Sequence, residues 1–319
     1  MYDMNIGYCC ICLSQPELST NRSMVKKTFQ QKGIAYASQL ALQNVRDLFQ
    51  ILQWNDRNNI RLFRMSSDMF PWASEYQLSD LPDYKAICHI LKACGSYARN
   101  NYMRLTFHPG PFDVLCSDNP DVVRKTVRDL EIHGEIMDLM VLDRSPYNCI
   151  NIHCNGTKGG KQAAMDRFCD NFQLLSDAVK TRLTVENDDK ASMYSVKDLV
   201  YIHESIGIPI VFDYHHHQFC TGDISEYNAL SLAAWTWPKG IIPIVHYSES
   251  KALHENDSKI KAQAHSDYIN QLPNTYGIDV DVEIEAKAKD LAILPYIKST
   301  CEYSGLRTVE SYGTTRITS

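Results

Sequence analysis

Histidine, aspartate and glutamate recur along the 319-residue chain at the ends of short apolar runs. His108 follows one run in TFHPG, His153 ends INIH, Glu186 ends LTVE and Asp213 ends IVFD. His246 ends PIVH, Glu285 ends DVEIE, and His265 lies between those last two runs. A single such residue is ordinarily a core or surface group satisfied by a neighbour. Six consecutive runs that each deliver one form a set. Three or four histidines with three carboxylates suit Mn²⁺, Zn²⁺ or Fe²⁺, whereas Mg²⁺ or Ca²⁺ would want oxygen almost alone. Carboxylates shared among several imidazoles can hold two or three ions a few ångströms apart, an arrangement that serves phosphodiester chemistry. In the run His215-His216-His217, successive side chains cannot all face one point. One or two of them are expected as ligands, with Asp213-x-x-His216 the preferred spacing.

The runs that must position these residues are Asn5–Cys10, Leu62–Met65, Tyr102–Phe107, Cys149–His153, Leu183–Glu186, Ile208–Asp213, Ile241–His246 and Val280–Glu285. Between them lie apolar stripes at three-to-four spacing, such as Leu40, Leu48, Ile51 and Leu52, or Phe168, Phe172, Leu175 and Val179. Ser195 and Asp198 fit a capping box ahead of Val196, Leu199 and Ile202. Eight strands alternating with helices predict an α/β fold, a single (β/α)₈ TIM barrel. In such a barrel the carboxyl ends of the strands converge on one face. No GxGxxG follows the first run and no GxxxxGK[ST] occurs, so no nucleotide cofactor is expected. The expected division is a barrel over residues 1–298 and a polar C-terminal extension over 299–319.

Composition agrees with a soluble protein of 36.4 kDa, with 44% hydrophobic and 22% charged residues. No apolar run approaches the roughly 18–20 residues of a membrane span. The N-terminus lacks the basic and apolar regions of a secretory signal, so an intracellular location is expected. The eleven cysteines then read as reduced thiols. Cys9-x-x-Cys12 has no second CxxC to complete a zinc site and reads as buried strand cysteine.

The chain resembles the ultraviolet damage endonucleases over roughly residues 4–290. The likeness runs through IGYCC (Ile6–Cys10), STNR (Ser19–Arg22), LFRMSSDMFPWAS (Leu62–Ser74), HPG (His108–Gly110) and VENDD (Val185–Asp189). VFDYHHH (Val211–His217), VHYS (Val245–Ser248) and EAKAK (Glu285–Lys289) complete it. It implies a TIM barrel that nicks damaged double-stranded DNA immediately 5′ to the lesion, using two or three divalent ions, with Mn²⁺ foremost. It places the metal ligands on His108, His153, Glu186, Asp213, His216, His246, His265 and Glu285. Glu186, His246 and Lys287 are the implied catalytic residues. Lys287 would neutralise charge near the scissile phosphate, Tyr8 would lie near the lesion, and Arg22 would contact phosphate.

Departures from the family pattern are equally specific. Its lesion-probing Gln-Tyr pair is Pro111 and Phe112 here. Phe112 can still wedge into a base stack, because intercalation needs an apolar plane, but Pro111 offers no side-chain hydrogen bond. A second-strand metal histidine is replaced by Asp68, which can ligate through oxygen. A modified lysine before the seventh-strand histidine is replaced by Ile244, and a first-loop asparagine by Cys12.

The formal charge is −6, from 32 basic and 38 acidic residues. That argues against a general nucleic-acid binder. With Glu186, Asp213, Glu285 and Asp68 assigned to metals, the relevant field is local, among Arg22, Lys158, Lys161, Lys251 and Lys287. Weak binding to undamaged DNA with a shallow salt dependence is expected. No obligate protein partner is evident, and a monomer is expected. The competing readings are an abasic-site nuclease of the endonuclease IV type, a metal-dependent sugar isomerase on the same scaffold, and a non-catalytic lesion-binding protein.

Overall fold

The structure, a computed structural model, describes residues 4–303. Eight parallel strands close into a barrel in chain order, β8 pairing with β1. They are β1 (Ile6–Cys9), β2 (Leu62–Met65), β3 (Arg104–Phe107), β4 (Ile150–His153), β5 (Leu183–Glu186), β6 (Ile210–Asp213), β7 (Ile244–Tyr247) and β8 (Asp281–Ile284). Each overlaps a run expected from the sequence, and all but β7, which extends one residue beyond His246 to Tyr247, fall inside it. The helices are α1 (Lys26–Arg57), α2 (Tyr84–Asn100), α3 (Pro120–Leu139), α4 (Lys161–Phe172), α5 (Asp177–Lys180) and α6 (Val196–Ile206). After these come α7 (Tyr214–His217), α8 (Glu226–Trp235), α9 (Lys251–His254) and α10 (Asp290–Tyr303). Ser195 caps α6 through the expected box with Asp198. Helix α10 continues past the boundary expected at residue 298, and the rest of the expected extension, 304–319, lies outside the described residues.

Alternation along each strand divides the molecule into two apolar regions. One row, including Phe63, Leu105, Ile152, Val185, Phe212 and Val282, packs outward against helix faces that carry Leu48, Leu91, Leu130, Phe168 and Leu199. The opposite row supplies a smaller inner cluster of Leu62, Cys149, Val211 and Ile244 with Trp237. Strands β2 and β6 lie on opposite sides of the barrel and meet only across its interior. Gly7 is required by this closure. A Cβ there would sit 2.4 Å from the Leu62 carbonyl oxygen and 2.6 Å from the Leu62 side chain.

At the amino end of the strands, Arg104 is fully buried and bonds Asp281 at 2.9 Å and the Ile242 carbonyl at 2.7 Å. Its guanidinium also lies over the rings of Tyr147 and Trp237. This plug and the inner cluster fill the lower barrel, so the polar row above them faces the opposite, carboxyl end. The ten described cysteines are all free. Among the described residues no helix is long and apolar enough to cross a membrane.

Candidate metal centre

Glu186, at the end of β5, is fully buried and is the hub of the site. Its carboxylate lies 3.0 Å from His108 Nε2, 3.1 Å from His246 Nδ1, 3.2 Å from His216 Nδ1 and 3.8 Å from His153 Nε2. The convergence follows from register: His153 pairs with Glu186 across β4–β5, and Asp213 with His246 across β6–β7. Glu285, just past β8, reaches His246 Nδ1 at 3.3 Å and His265 Nδ1 at 3.8 Å. Of the histidine triplet, His216 faces Glu186. It is turned there by Asp213, whose side chain accepts from the His216 N–H at 2.7 Å, and its Nδ1 lies 2.9 Å from the Asn187 carbonyl. His215 is buried beside Phe219, with Nε2 3.2 Å from the Gln263 carbonyl, and His217 packs on Phe212.

Three groups offer donor atoms within 4.8 Å of one another: His108, Glu186 and His246; His153, Glu186 and His216; Asp213, His246 and Glu285. Several of these donors, Glu186 Oε1, Asp213 Oδ2 and His246 Nδ1, are buried with no hydrogen-bond partner, as is His265 Nδ1. Buried polar atoms are normally satisfied. Close approach without hydrogen-bond alignment is what lone pairs aimed at a shared cation produce. The donors are mixed nitrogen and oxygen, so the residues fit first-row divalent ions better than Mg²⁺ or Ca²⁺.

Electrostatics tie the cluster together. Burial pushes the Glu186 carboxyl up, but His246, His153, His108 and His216 outweigh it and hold the group well below the usual carboxylate range. Burial disfavours the charged form of His246, yet Glu186, Glu283 and Glu285 lift its pKa to about 10. His153 goes the other way: burial lowers it to about 4 despite Glu186. Burial also raises Asp188, which faces His153 Nδ1 at 3.5 Å, to about 7.

A layer beneath the donors was not anticipated from the sequence. Asn151 donates to Glu186 and accepts from Thr184 Oγ1 at 2.9 Å. Arg64, nearly buried on β2, bonds Glu285 at 2.5 Å and lies 3.4 Å from Glu283. Glu283 in turn lies 3.1 Å from His246 Nε2. The available signal was parity: Arg64, Asn151, Thr184 and Glu283 occupy the same alternating row as the strand-end donors.

The other expected site residues are not among the three donor groups. Tyr8 is fully buried, packs at a tilt beside Phe63 and donates at 2.8 Å to Asn55 on α1. It faces the helix layer, because its neighbours Gly7 and Cys9 take the inward row. Cys12 is buried too. Arg22 bridges Asp47 at 2.6 Å and bonds the Ser19 carbonyl, which fastens its own loop to α1. Asp68 is exposed on a short 3₁₀ turn, outside the three donor groups. Pro111 and Phe112 are exposed on the loop after His108, with Phe112 89% exposed. Lys287 is exposed just past Glu285. Ile244 lies two residues below His246, in the inner apolar cluster. Lys158, Lys161 and Lys251 are paired with Asp118, Asp198 and Glu255.

Comparison with known proteins gives a consistent result. The sequence profile of the family described as UV-endonuclease UvdE matches residues 4–317. A UV-damage endonuclease of Schizosaccharomyces pombe is 37% identical over 301 residues, which are 90% of this chain and 49% of the relative. A UV DNA damage endonuclease of Clostridium perfringens is 31% identical over 97% of this chain and 74% of its own length. The chain thus spans about half of the first relative and three quarters of the second. The crystal structure of SacUVDE superposes with a TM-score of 0.82 at 29% identity, covering 95% of this chain and all of that one. The chain belongs to the UV-endonuclease UvdE family.

Proposed function

We propose that the chain is a metal-dependent DNA repair endonuclease that hydrolyses the phosphodiester 5′ to ultraviolet photoproducts in duplex DNA. The observation that carries this reading is the convergence of three nitrogen–oxygen donor groups, sharing Glu186 and His246, at the open end of a barrel of this family. Those residues would hold the ions, with His265 beside Glu285. Bound divalent ions would supply hydroxide near neutral pH and stabilise charge on the phosphoryl and leaving 3′ oxygens.

The chain's own residues prepare and limit that chemistry. Asn151 holds the Glu186 carboxylate, so the hub stays fixed while substrate arrives. The Arg104 plug closes the far end of the barrel, so DNA approaches from the mouth. Lys287, exposed two residues past Glu285, would supply a positive charge for the scissile phosphate. Phe112 presents an apolar plane for insertion at a distorted step. Extruding a nucleotide costs a few kcal/mol and less at a lesion, which favours damaged sites. Pro111 offers no hydrogen bond to base edges, so selectivity rests on deformability and shape.

End-labelled duplexes carrying a pyrimidine dimer, a 6-4 photoproduct, an abasic site or no lesion, incubated with Mn²⁺, test the reading. Nicks 5′ to the photoproducts are expected. Nicking at the abasic site alone would replace the reading with an abasic-site nuclease. Binding to damaged DNA without any nick would replace it with a binding protein.

A further inference from the structure

Glu283 belongs to none of the three donor groups, yet it touches the histidine that two of them share. It is 1% exposed on β8, directly paired in register with His246 on β7. One carboxylate oxygen lies 3.1 Å from His246 Nε2, with Arg64 Nε 3.4 Å from the same oxygen. The other oxygen accepts from the Thr106 hydroxyl. On the opposite edge of the imidazole, Nδ1 is buried without a hydrogen-bond partner, 3.1 Å from Glu186 and 3.3 Å from Glu285.

We propose that Glu283 is a positioning residue that fixes His246 in the Nε2–H tautomer, so that the Nδ1 lone pair is presented to the metal centre. An ionised carboxylate only accepts hydrogen bonds, so the ring nitrogen facing it must carry the proton. Arg64 Nε lies 3.4 Å from the oxygen that faces His246 and the Thr106 hydroxyl donates to the other, so the carboxylate is placed as an acceptor on every side. The neutral imidazole that a divalent ion requires, protonated at Nε2, has its lone pair at Nδ1, where Glu186 and Glu285 converge. A carboxylate behind a ligating imidazole also holds the ring plane and raises its basicity. Thr106 and Arg64 lock the carboxylate in turn, so the orientation passes from β2 and β3 through β8 to β7. One lone pair serves one ion, so His246 is committed to a single ion even though two donor groups include it.

The inference rests on the metal reading above, and the experiment separates the two. Protein with ¹⁵N-labelled histidine is loaded with diamagnetic Zn²⁺, and two-bond ¹⁵N–¹H correlations assign each imidazole. The expected result is His246 protonated at Nε2 and metal-bound at Nδ1. Glu283→Leu should weaken Mn²⁺ binding, measured by titration calorimetry, by about 10–100-fold. Glu283→Gln, which keeps an acceptor oxygen, should recover part of the affinity. Near-ultraviolet circular dichroism checks that each variant is folded, and the wild-type spectrum decides the tautomer should the Leu variant fail to fold. A metal-loaded wild type with His246 protonated at Nδ1 would overturn the inference, as would unchanged affinity and tautomer in Glu283→Leu. A wild type that binds no divalent ion would overturn the metal reading itself, and the inference with it.

Discussion

Replacing Glu186 with Gln removes one charge at constant volume from the point where four imidazoles meet. The carboxylate lies 3.0–3.8 Å from His108, His246, His216 and His153, and it belongs to two of the three donor groups. Loss of a partner one shell removed from a metal costs about 10–100-fold in affinity. Loss of a donor shared by two groups should therefore cost at least about 100-fold. At an Mn²⁺ concentration of about 100 Kd, binding stabilises the folded state by about 2.7 kcal/mol. With affinity reduced about 100-fold, the same concentration contributes only ~0.4 kcal/mol. Urea unfolding with and without Mn²⁺ reads that difference directly. Single-turnover nicking of a photoproduct duplex should fall by at least about 100-fold in parallel. Full Mn²⁺ stabilisation together with near-normal nicking in Glu186→Gln would refute the assignment of Glu186 as the hub.

Phe112→Ala should lower the affinity for photoproduct duplex by roughly 5–150-fold, the value of about 1–3 kcal/mol of base stacking, and leave undamaged duplex unaffected; equal losses on both, by fluorescence anisotropy, would remove Phe112 as the wedge. Asp113, just behind it, is raised to about 8 by burial and the neighbouring Asp129 carboxyl. A raised acid contributes stability that is fully present below its unfolded value and is lost as pH rises through the folded value. Asp113→Asn should therefore unfold like wild type near pH 4 and become the more stable of the two towards pH 8; parallel pH–stability curves would contradict this. Arg22, Lys158, Lys161 and Lys251 each hold a carboxylate. The salt slope for undamaged DNA should consequently be shallow, about −1 to −3, and Arg22→Ala should lower the melting temperature without changing that slope; a reduced slope at unchanged stability would make Arg22 a phosphate contact.

The barrel was legible because eight apolar runs alternate with helical stripes, and each observed strand coincides with one of them to within a residue. Strand ends were legible as well, since His153, Glu186, Asp213 and His246 are the final or near-final residues of their strands. What the runs do not display is which strand row faces inward. Tyr8 sits in the IGYCC stretch on which the resemblance was read, yet its parity turns it to α1, where it bonds Asn55. Glu283 and Arg64 look like isolated charges within apolar strands. Their meaning emerges only from the stagger between strands, which pairs His246 with Glu283 and closes β8 onto β1. Side-chain commitments at loops are equally invisible in one dimension, as the Arg22–Asp47 pair shows, because Asp47 lies on a different element. The 3₁₀ turn that leaves Asp68 exposed is likewise not displayed by the linear pattern.

The central claim is that cleavage beside an ultraviolet lesion depends on ions held by Glu186 and its partners. Its most direct measurement is single-turnover nicking of a duplex with one pyrimidine dimer, by protein stripped with chelator and then titrated with Mn²⁺. The account predicts no product in chelator and recovery on adding Mn²⁺. The cut should map immediately 5′ to the dimer and leave a 3′-hydroxyl that a polymerase extends. Undiminished cleavage by the stripped protein, or no cleavage after full reloading, would contradict it.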